Sequence, residues 1–181
     1  MRVQARNRER AVTTFRRFAS PVGELVLTAS DVGLTGIYFP ISRHGPPRVE
    51  REDWVEDDGR GAAGAILARA CHQLQEYFAG TRTAFDVPLA ASGTTFEQRV
   101  WELLRAIPYG TTTSYGALAH HLGDPRATRA VGAANGKNPI PIIVPCHRVV
   151  GARGELTGFG GGIDRKRWLL EHEGALMRLG G

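Results

Sequence analysis

The hydrophobic pattern of the chain changes period near residue 92, and this change constrains the fold more than any other feature of the sequence. Before it, alternation over Thr14–Ala19 and the apolar segments Glu24–Thr28 and Leu34–Phe39 favour short strands. A helical pattern over Gly64–Phe78 follows them. Beyond residue 92 the pattern is mainly helical. We therefore predict an α/β (α+β) protein, with a small sheet-plus-helix domain followed by a mainly helical one.

The remaining segments of the first half set the domain boundaries. Residues 40–60 are rich in proline, glycine and charge and are predicted to form a surface loop. Phe85–Leu89 is predicted to be extended, and Ala90–Thr95 is the candidate linker. The boundaries follow in chain order: a disordered tail at 1–12, an N-terminal domain at 13–92 and a C-terminal domain at 93–178.

Two short helices joined by a glycine-containing turn are predicted in the second half. The first, Tyr115–Leu122, has Ser114 as its cap; Gly123–Pro125 turns the chain; the second spans Arg126–Asn135. This arrangement is typical of a helix-turn-helix, here within a winged-helix-like domain. Further helices are predicted over Phe96–Ile107, capped by Thr95, and over Asp164–Glu173, with an extended apolar segment at Ile140–Val144.

Charge makes a nucleic-acid partner plausible, because the formal net charge is +5 and its excess lies in the C-terminal half. Arg129 is predicted to project from the second short helix. Four small residues there would let the helix approach a nucleic-acid groove closely: Ala130, Gly132, Ala133 and Ala134. The alternative interpretation is tight packing of an alanine-rich helix, with Arg129 a solvated arginine.

Other classes are disfavoured by what the sequence lacks. No run of roughly 18 apolar residues predicts a membrane span. The polar start lacks the apolar block of a secretory signal. Two cysteines cannot form a disulfide framework, so a reducing compartment and a cytoplasmic location are expected.

Cys146 is the candidate nucleophile, because His147 and Arg148 follow it directly. Thiolate is the reactive form, and nearby cationic groups lower the pKa of a cysteine. Glu173 is a possible third member that would orient the histidine. The alternative is a small buried thiol beside a surface histidine. Cys71, on the apolar face of a helix, is predicted to be a packed core thiol.

Six segments together resemble the O6-alkylguanine-DNA alkyltransferase family, in order and in spacing. The Pro145–Arg148 block is the most specific of them, and the likeness is strong over residues 94–174 and weaker over 13–89. The segments are Ile107–Gly116, Arg129–Val131, Asn138–Pro139, Ile142–Val150, Gly158–Gly162 and Trp168–Gly174.

The resemblance implies single-use, irreversible transfer of an alkyl group from O6 of guanine in duplex DNA to Cys146. His147 would act as base through a water molecule, Glu173 would orient it, and Tyr115 would donate toward N3 of the base. Asn138 would brace the turn that holds Cys146. Arg129 would take the space of the nucleotide extruded through the minor groove.

The resemblance also implies a substrate pocket, and an active protein without a cofactor or a second subunit. The pocket residues would be Val144, Pro145, Val149, Phe159 and Gly160, with backbone carbonyls near Val144 and Cys146 contacting the exocyclic amine. No cofactor is expected, and the protein is expected to be a monomer. Two questions are left open: whether it forms cooperative clusters on DNA, and whether it also accepts O4-alkylthymine.

Two departures from the family pattern are visible. The family often has tyrosine where this chain has Phe159, which removes one possible hydrogen bond to O6. Some members bind zinc in the N-terminal domain through cysteine and histidine. This half holds only Cys71, His44 and His72, so no structural metal is predicted.

Three rival functions remain at this stage. A lesion-binding relative without transfer activity would replace the cysteine, and this chain keeps Cys146. A cysteine hydrolase using Cys146, His147 and Glu173 would turn over repeatedly without DNA. A helix-turn-helix regulator would need base-specific side chains, which an alanine-rich helix offers sparsely.

Overall fold

The computed structural model describes residues 13–39 and 54–176. The predicted tail at 1–12, most of the predicted loop at 40–60, His44 and residues 177–178 lie outside the described residues. Within them, the mixed α/β class expected from the sequence is confirmed: the first half is a sheet with one helix, and the second is mainly helical.

A four-stranded sheet forms the first half, with the strand order β3-β2-β1-β4. The strands β1 (Thr13–Phe18), β2 (Leu25–Ser30) and β3 (Gly33–Tyr38) make antiparallel pairs at the predicted positions. The fourth strand, β4 (Trp54–Glu56), pairs parallel to β1 and lies where a loop was predicted. That part of the prediction is wrong, because a three-residue edge strand is too short to show a period.

Helix α1 (Gly61–Phe78) packs one face on this sheet and buries Leu67, Leu74 and Tyr77 completely. Cys71 is half-buried against the same core. Burial raises its pKa, with the Arg16 side chain opposing. Phe85–Leu89 is not a full strand; Leu89 makes a single parallel bridge to Leu34.

Helix α2 (Thr95–Arg105) begins one residue earlier than predicted, with Thr94 rather than Thr95 as its cap. The Thr94 hydroxyl accepts a hydrogen bond from the Glu97 amide, and the Glu97 carboxylate accepts one from the Thr94 amide. This reciprocal capping box selects Thr94, since only that threonine has a glutamate three residues later. Trp101 on α2 donates its indole N–H to the Ala134 carbonyl at 2.9 Å.

The helix-turn-helix consists of α3 (Tyr115–His121) and α4 (Thr128–Gly136), joined through a 3₁₀ turn at Pro125–Ala127. The predicted cap is confirmed: the Ser114 hydroxyl accepts from the Ala117 amide at 3.1 Å. The second helix begins two residues later than predicted, because Asp124 caps the 3₁₀ turn first.

The two halves contact each other along a continuous interface. The Ile37 amide of β3 donates to the Pro139 carbonyl at 2.8 Å. Arg165 of the last helix, α5 (Ile163–His172), donates to the Val22 carbonyl at 2.7 Å. No helix among the described residues is long and apolar enough to cross a membrane.

Candidate active site

A tight turn, not the predicted extended segment, leads into Cys146. Residues 140–144 fold back so that the Val144 amide donates to the Ile140 carbonyl at 2.9 Å. Ile142 at its tip has a φ of 75°, which a β-branched residue adopts only under strain. The prediction of an extended segment is wrong here, because an apolar run does not distinguish a strand from a buried turn.

Asn138 ties this turn together from both ends. Its amide group donates to the Val144 carbonyl at 2.8 Å, and its carbonyl oxygen accepts from the Ile140 amide at 3.0 Å. A side chain that bonds both ends can hold a strained turn in place. Cys146 follows at the start of a 3₁₀ turn, Cys146–Arg148, that continues into β6 (Val149–Val150), which pairs with β5 (Thr113–Ser114).

Cys146 is one wall of a cavity of about 140 Å³ between the two halves of the chain. Apolar and glycine residues dominate the lining: Ile37, Tyr38 and Phe39 from β3 and its end, Asn135, Gly136, Asn138, Pro139 and Pro141, and Gly158, Phe159, Gly160 and Gly161. A small, largely apolar cavity that holds one reactive side chain is a good candidate for a substrate site.

Phe159 and Gly160 line this cavity as predicted from the resemblance, whereas Val144, Pro145 and Val149 do not. Val149 is fully buried behind the site. The Val144 carbonyl already accepts from Asn138 and from the Cys146 amide, so it has no lone pair left to contact an exocyclic amine. The contact of these three residues with a substrate stays a prediction.

The ring of Phe159 is held by a residue from the first half of the chain. Phe39 meets it edge-on, with the ring centroids 5.5 Å apart. Gly161 is required beside them, because a Cβ there would come within 2.8 Å of both rings. The glycine-rich segment therefore forms one wall of the cavity.

Cys146 is protonated in the resting site, contrary to the lowered pKa expected from its neighbours. Burial raises the pKa of the thiol to about 11, against opposing contributions from the Asn138 side chain and the Lys166 charge. The Arg148 guanidinium, which the sequence placed beside the thiol, is directed at Glu173 instead. A thiol of this kind needs a general base to react.

His147 and Glu173 form a buried pair suited to that task. The imidazole Nε2–H donates to Glu173 Oε1 at 2.7 Å, and the imidazole is wholly inaccessible to solvent. The tautomer follows from the carboxylate, which can only accept. Nδ1, which has no hydrogen-bond partner among the described residues, is then the nitrogen that can accept a proton. Burial lowers the pKa of His147, and the neighbouring Glu173 carboxylate opposes this shift.

Glu173 is the most densely bonded carboxylate among the residues described. Arg148 donates Nε to Oε2 at 2.8 Å and an Nη to Oε1 at 3.0 Å, and the Gly110 amide lies 3.3 Å from Oε2. Gly110 has a φ of 71° and lies against the Glu173 carbonyl, so no other residue fits there. Burial alone would raise the pKa of Glu173, but His147 and Arg148 lower it to about 2.

The sequence interpretation missed the contacts of three buried residues near the site. The role of Arg148 was assigned to the wrong partner, and Tyr77 was passed over on α1. Lys166 is fully buried, donates to the Val149 and Thr157 carbonyls at 2.5 and 2.6 Å, and opposes the raised pKa of Cys146 through its charge. Its rarity, as one of two lysines in the chain, was the only signal.

Tyr115 lies at the edge of the cavity. Its hydroxyl donates to the Thr157 carbonyl at 3.2 Å, and a Cβ on Gly158 would approach that hydroxyl within 3.4 Å. Gly158 lines the cavity, whereas Tyr115 does not. Its ring packs beside Gly132 of α4. Tyr115 therefore connects the helix-turn-helix to the mouth of the site.

Helix α4 presents Arg129, Ala130 and Ala133 to solvent, with Gly132 partly exposed. Arg129 forms no ion pair with any residue that the structure describes. Ala134, predicted to face nucleic acid, is instead buried, and its carbonyl accepts from Trp101. Its place on the helix points inward, so it packs α4 against α2.

Both halves of the chain resemble known proteins. A family model for the 6-O-methylguanine DNA methyltransferase DNA binding domain matches residues 95–175, and one for the ribonuclease-like domain of the same enzymes matches residues 14–91. A methylated-DNA--protein-cysteine methyltransferase of Mycobacterium bovis is 51% identical over 159 residues, covering 88% of this chain and 91% of the relative. One of Methanosarcina acetivorans is 46% identical, covering 87% and 96%.

Solved structures extend the likeness to the fold. The O6-methylguanine methyltransferase of Mycobacterium tuberculosis superposes with a TM-score of 0.79 at 48% identity, covering 90% of this chain and 93% of that one. An M. tuberculosis OGT in complex with DNA gives 0.78 at 50% identity, covering 88% and 92%.

Proposed function

The chain belongs to the 6-O-methylguanine DNA methyltransferase family, and from this premise we propose that it repairs DNA by moving an alkyl group from O6 of guanine onto Cys146. The observation that carries the proposal is a single buried thiol on the wall of a small cavity, followed directly by a histidine whose free nitrogen can take its proton. Duplex DNA is the proposed partner, and the cytoplasm the proposed location.

The reaction needs one proton and one alkyl group to move. His147 Nδ1 takes the thiol proton through a bridging water, while Glu173 stabilises the imidazolium that forms. Cys146 Sγ then attacks the alkyl carbon, the carbon–O6 bond breaks, and its electron pair stays on the base. The departing base takes up, through water, the proton held on His147, so the products are neutral guanine, a thioether and a neutral imidazole. Tyr115 donates toward N3 as the charge develops.

The protein is consumed in this scheme, because a thioether is a poor leaving group and no residue in the scheme reverses its formation. The alkyl donor is the damaged base, so the proposal involves no cofactor. The three rival functions are tested by measuring how much guanine is restored in a lesion-bearing duplex. Guanine should be restored in an amount that saturates at one per protein. No restoration, with repeated cleavage of an ester or amide in the absence of DNA, would favour a hydrolase. Binding without restoration would favour a lesion sensor or a regulator.

DNA contact is proposed for α4, with its exposed small residues in the minor groove and Arg129 filling the space of the extruded nucleotide. Arg129→Ala should slow repair of duplex by at least about tenfold, because extrusion costs a few kcal/mol. The reaction with free O6-benzylguanine, which needs no extrusion, should stay within about twofold.

Arg126→Ala is the matched control for Arg129, since it removes the same charge from an exposed position just before α4. It should weaken duplex binding modestly and leave the ratio of the two substrates unchanged. Equal losses of Arg129→Ala on duplex and on free base would remove the extrusion role.

Phe159→Tyr should raise the transfer rate by about two- to tenfold, the range for one added hydrogen bond. Phe159 lines the cavity beside Cys146, and its ring is held by Phe39, so a hydroxyl would be added without a change of packing. Single-turnover rates on methylated duplex measure the effect. An unchanged or lower rate would show that the missing hydroxyl does not limit transfer.

A further inference from the structure

Tyr77 connects the first half of the chain to the reactive group. It lies in the last turn of α1, is fully buried, and donates its hydroxyl to Glu173 Oε1 at 2.7 Å. That same oxygen accepts the Nε2–H of His147, also at 2.7 Å. One carboxylate oxygen therefore accepts hydrogen bonds from both halves of the chain.

A second hydrogen bond connects Tyr77 to the end of α5, beside Glu173. The Tyr77 carbonyl lies 2.7 Å from Nε2 of His172, the residue before Glu173. The Tyr77 ring also packs edge-on against the rings of His172 and Tyr109, at 5.1 and 6.1 Å. Two consecutive residues at the end of α5 are thus held by one residue of α1, which leaves Glu173 little freedom to rotate.

We propose that Tyr77 is a positioning residue for alkyl transfer: its hydroxyl holds Glu173 in the orientation in which the carboxylate supports His147. The inference rests on the proposed function of Cys146 and extends it, since it gives the N-terminal half a part in the chemistry. Without the hydroxyl, Oε1 keeps only the His147 and Arg148 donors, and the carboxylate is free to shift toward Arg148.

The charges around the pair set the direction of the expected pH effect. Glu173, Arg148 and Lys166 act on His147, and His147, Arg148, Tyr77 and Tyr109 surround Glu173. A donor on Oε1 withdraws negative charge from the oxygen that stabilises imidazolium. Removing that donor therefore raises the pKa of His147.

Tyr77→Phe tests this, because the ring and its packing remain. The second-order rate constant for transfer from methylated duplex should fall by at least about tenfold, the lower end of the effect of losing a hydrogen bond to a charged group. The acidic limb of the pH–rate profile should move to higher pH, and the NMR titration of His147 should move the same way. A loss of stability alone would move neither of these last two.

Tyr109→Phe is the matched control. Its hydroxyl reaches only the His172 carbonyl, at 3.4 Å, in the same aromatic cluster. This variant should keep the wild-type rate and profile. If it loses as much as Tyr77→Phe, or if Tyr77→Phe keeps the wild-type rate and acidic limb, the proposal is overturned.

A second substitution reverses the sign and does not depend on Tyr77→Phe folding. Replacing Tyr77 with 3-fluorotyrosine keeps the hydroxyl and makes it a stronger donor, so the titration of His147 should move to lower pH. An unmoved titration would contradict the proposal. A wild-type protein that transfers no alkyl group would instead refute the proposed function, while the His147 titration still tests the link to Tyr77.

Discussion

Cys146→Ala should abolish alkyl transfer completely while leaving the affinity for lesion-bearing duplex within about twofold, since alanine removes the only atom that forms the new bond. The side chain is nearly inaccessible and its turn is held by Asn138, so the small deletion should leave the DNA-binding surface unchanged. Label transfer from alkylated duplex and a binding titration on the same duplex measure the two effects separately.

Cys71→Ala is the control for that variant. Cys71 is half-buried on α1, outside the lining of the cavity, and burial raises its pKa. The variant should transfer at the wild-type rate, with some loss of stability. Transfer that persists in Cys146→Ala, or that disappears in Cys71→Ala, would show that Cys146 is not the acceptor.

Glu173→Gln should have the second-largest effect, on stability and on transfer together. Removing one partner of a buried ion pair leaves Arg148 without its counter-charge, and such changes cost about 3–5 kcal/mol of unfolding free energy. The amide also presents N–H groups where His147 and Tyr77 donate. The transfer rate should fall by at least about a hundredfold, because an imidazolium at His147 loses its stabilising charge.

The same variant isolates a pH dependence. The pKa of Glu173 in the folded protein, about 2, is lower than the usual glutamate value of 4.5. The carboxylate therefore stabilises the fold fully above pH 4.5, and this contribution is lost as the pH falls from 4.5 toward 2. Denaturant unfolding across this range should show that loss in the wild-type protein and a weaker one in Glu173→Gln.

Glu171→Gln makes the same chemical change at an exposed position on α5 and serves as the control for both effects. It should leave the unfolding free energy within about 0.5 kcal/mol of the wild type, as surface substitutions usually do. If Glu173→Gln is no less stable than Glu171→Gln, the carboxylate network does not hold the site together.

Local patterns in the sequence predicted most of the helices and strands, because helix periodicity and helix caps depend on residues only a few positions apart. The periodicity of α1 and the Ser114 cap are decided by neighbours three or four positions away, and both were confirmed. The Thr94 cap was missed by one residue because two adjacent threonines compete, and only the reciprocal bond with Glu97 decides between them.

The residues that the sequence left out are held by long-range contacts. Tyr77 meets Glu173 across 96 positions, and Arg148 meets it across 25. The hydrophobic pattern of a sequence does not reveal contacts between residues so far apart. Arg148 was therefore assigned to the thiol next to it in the sequence. The burial of Ala134 likewise depends on Trp101, 33 positions away. The resemblance named Cys146, His147 and Glu173, but the hydrogen bonds among these residues and their neighbours required the structure.

Intact mass after incubation with duplex DNA containing O6-methylguanine tests the central claim most directly. We predict a gain of about 14 Da, the mass of one methylene group, saturating at one per protein and mapping to the peptide that holds Cys146. An unchanged mass, or a gain that maps to Cys71 or to any other residue, would contradict the proposed transfer.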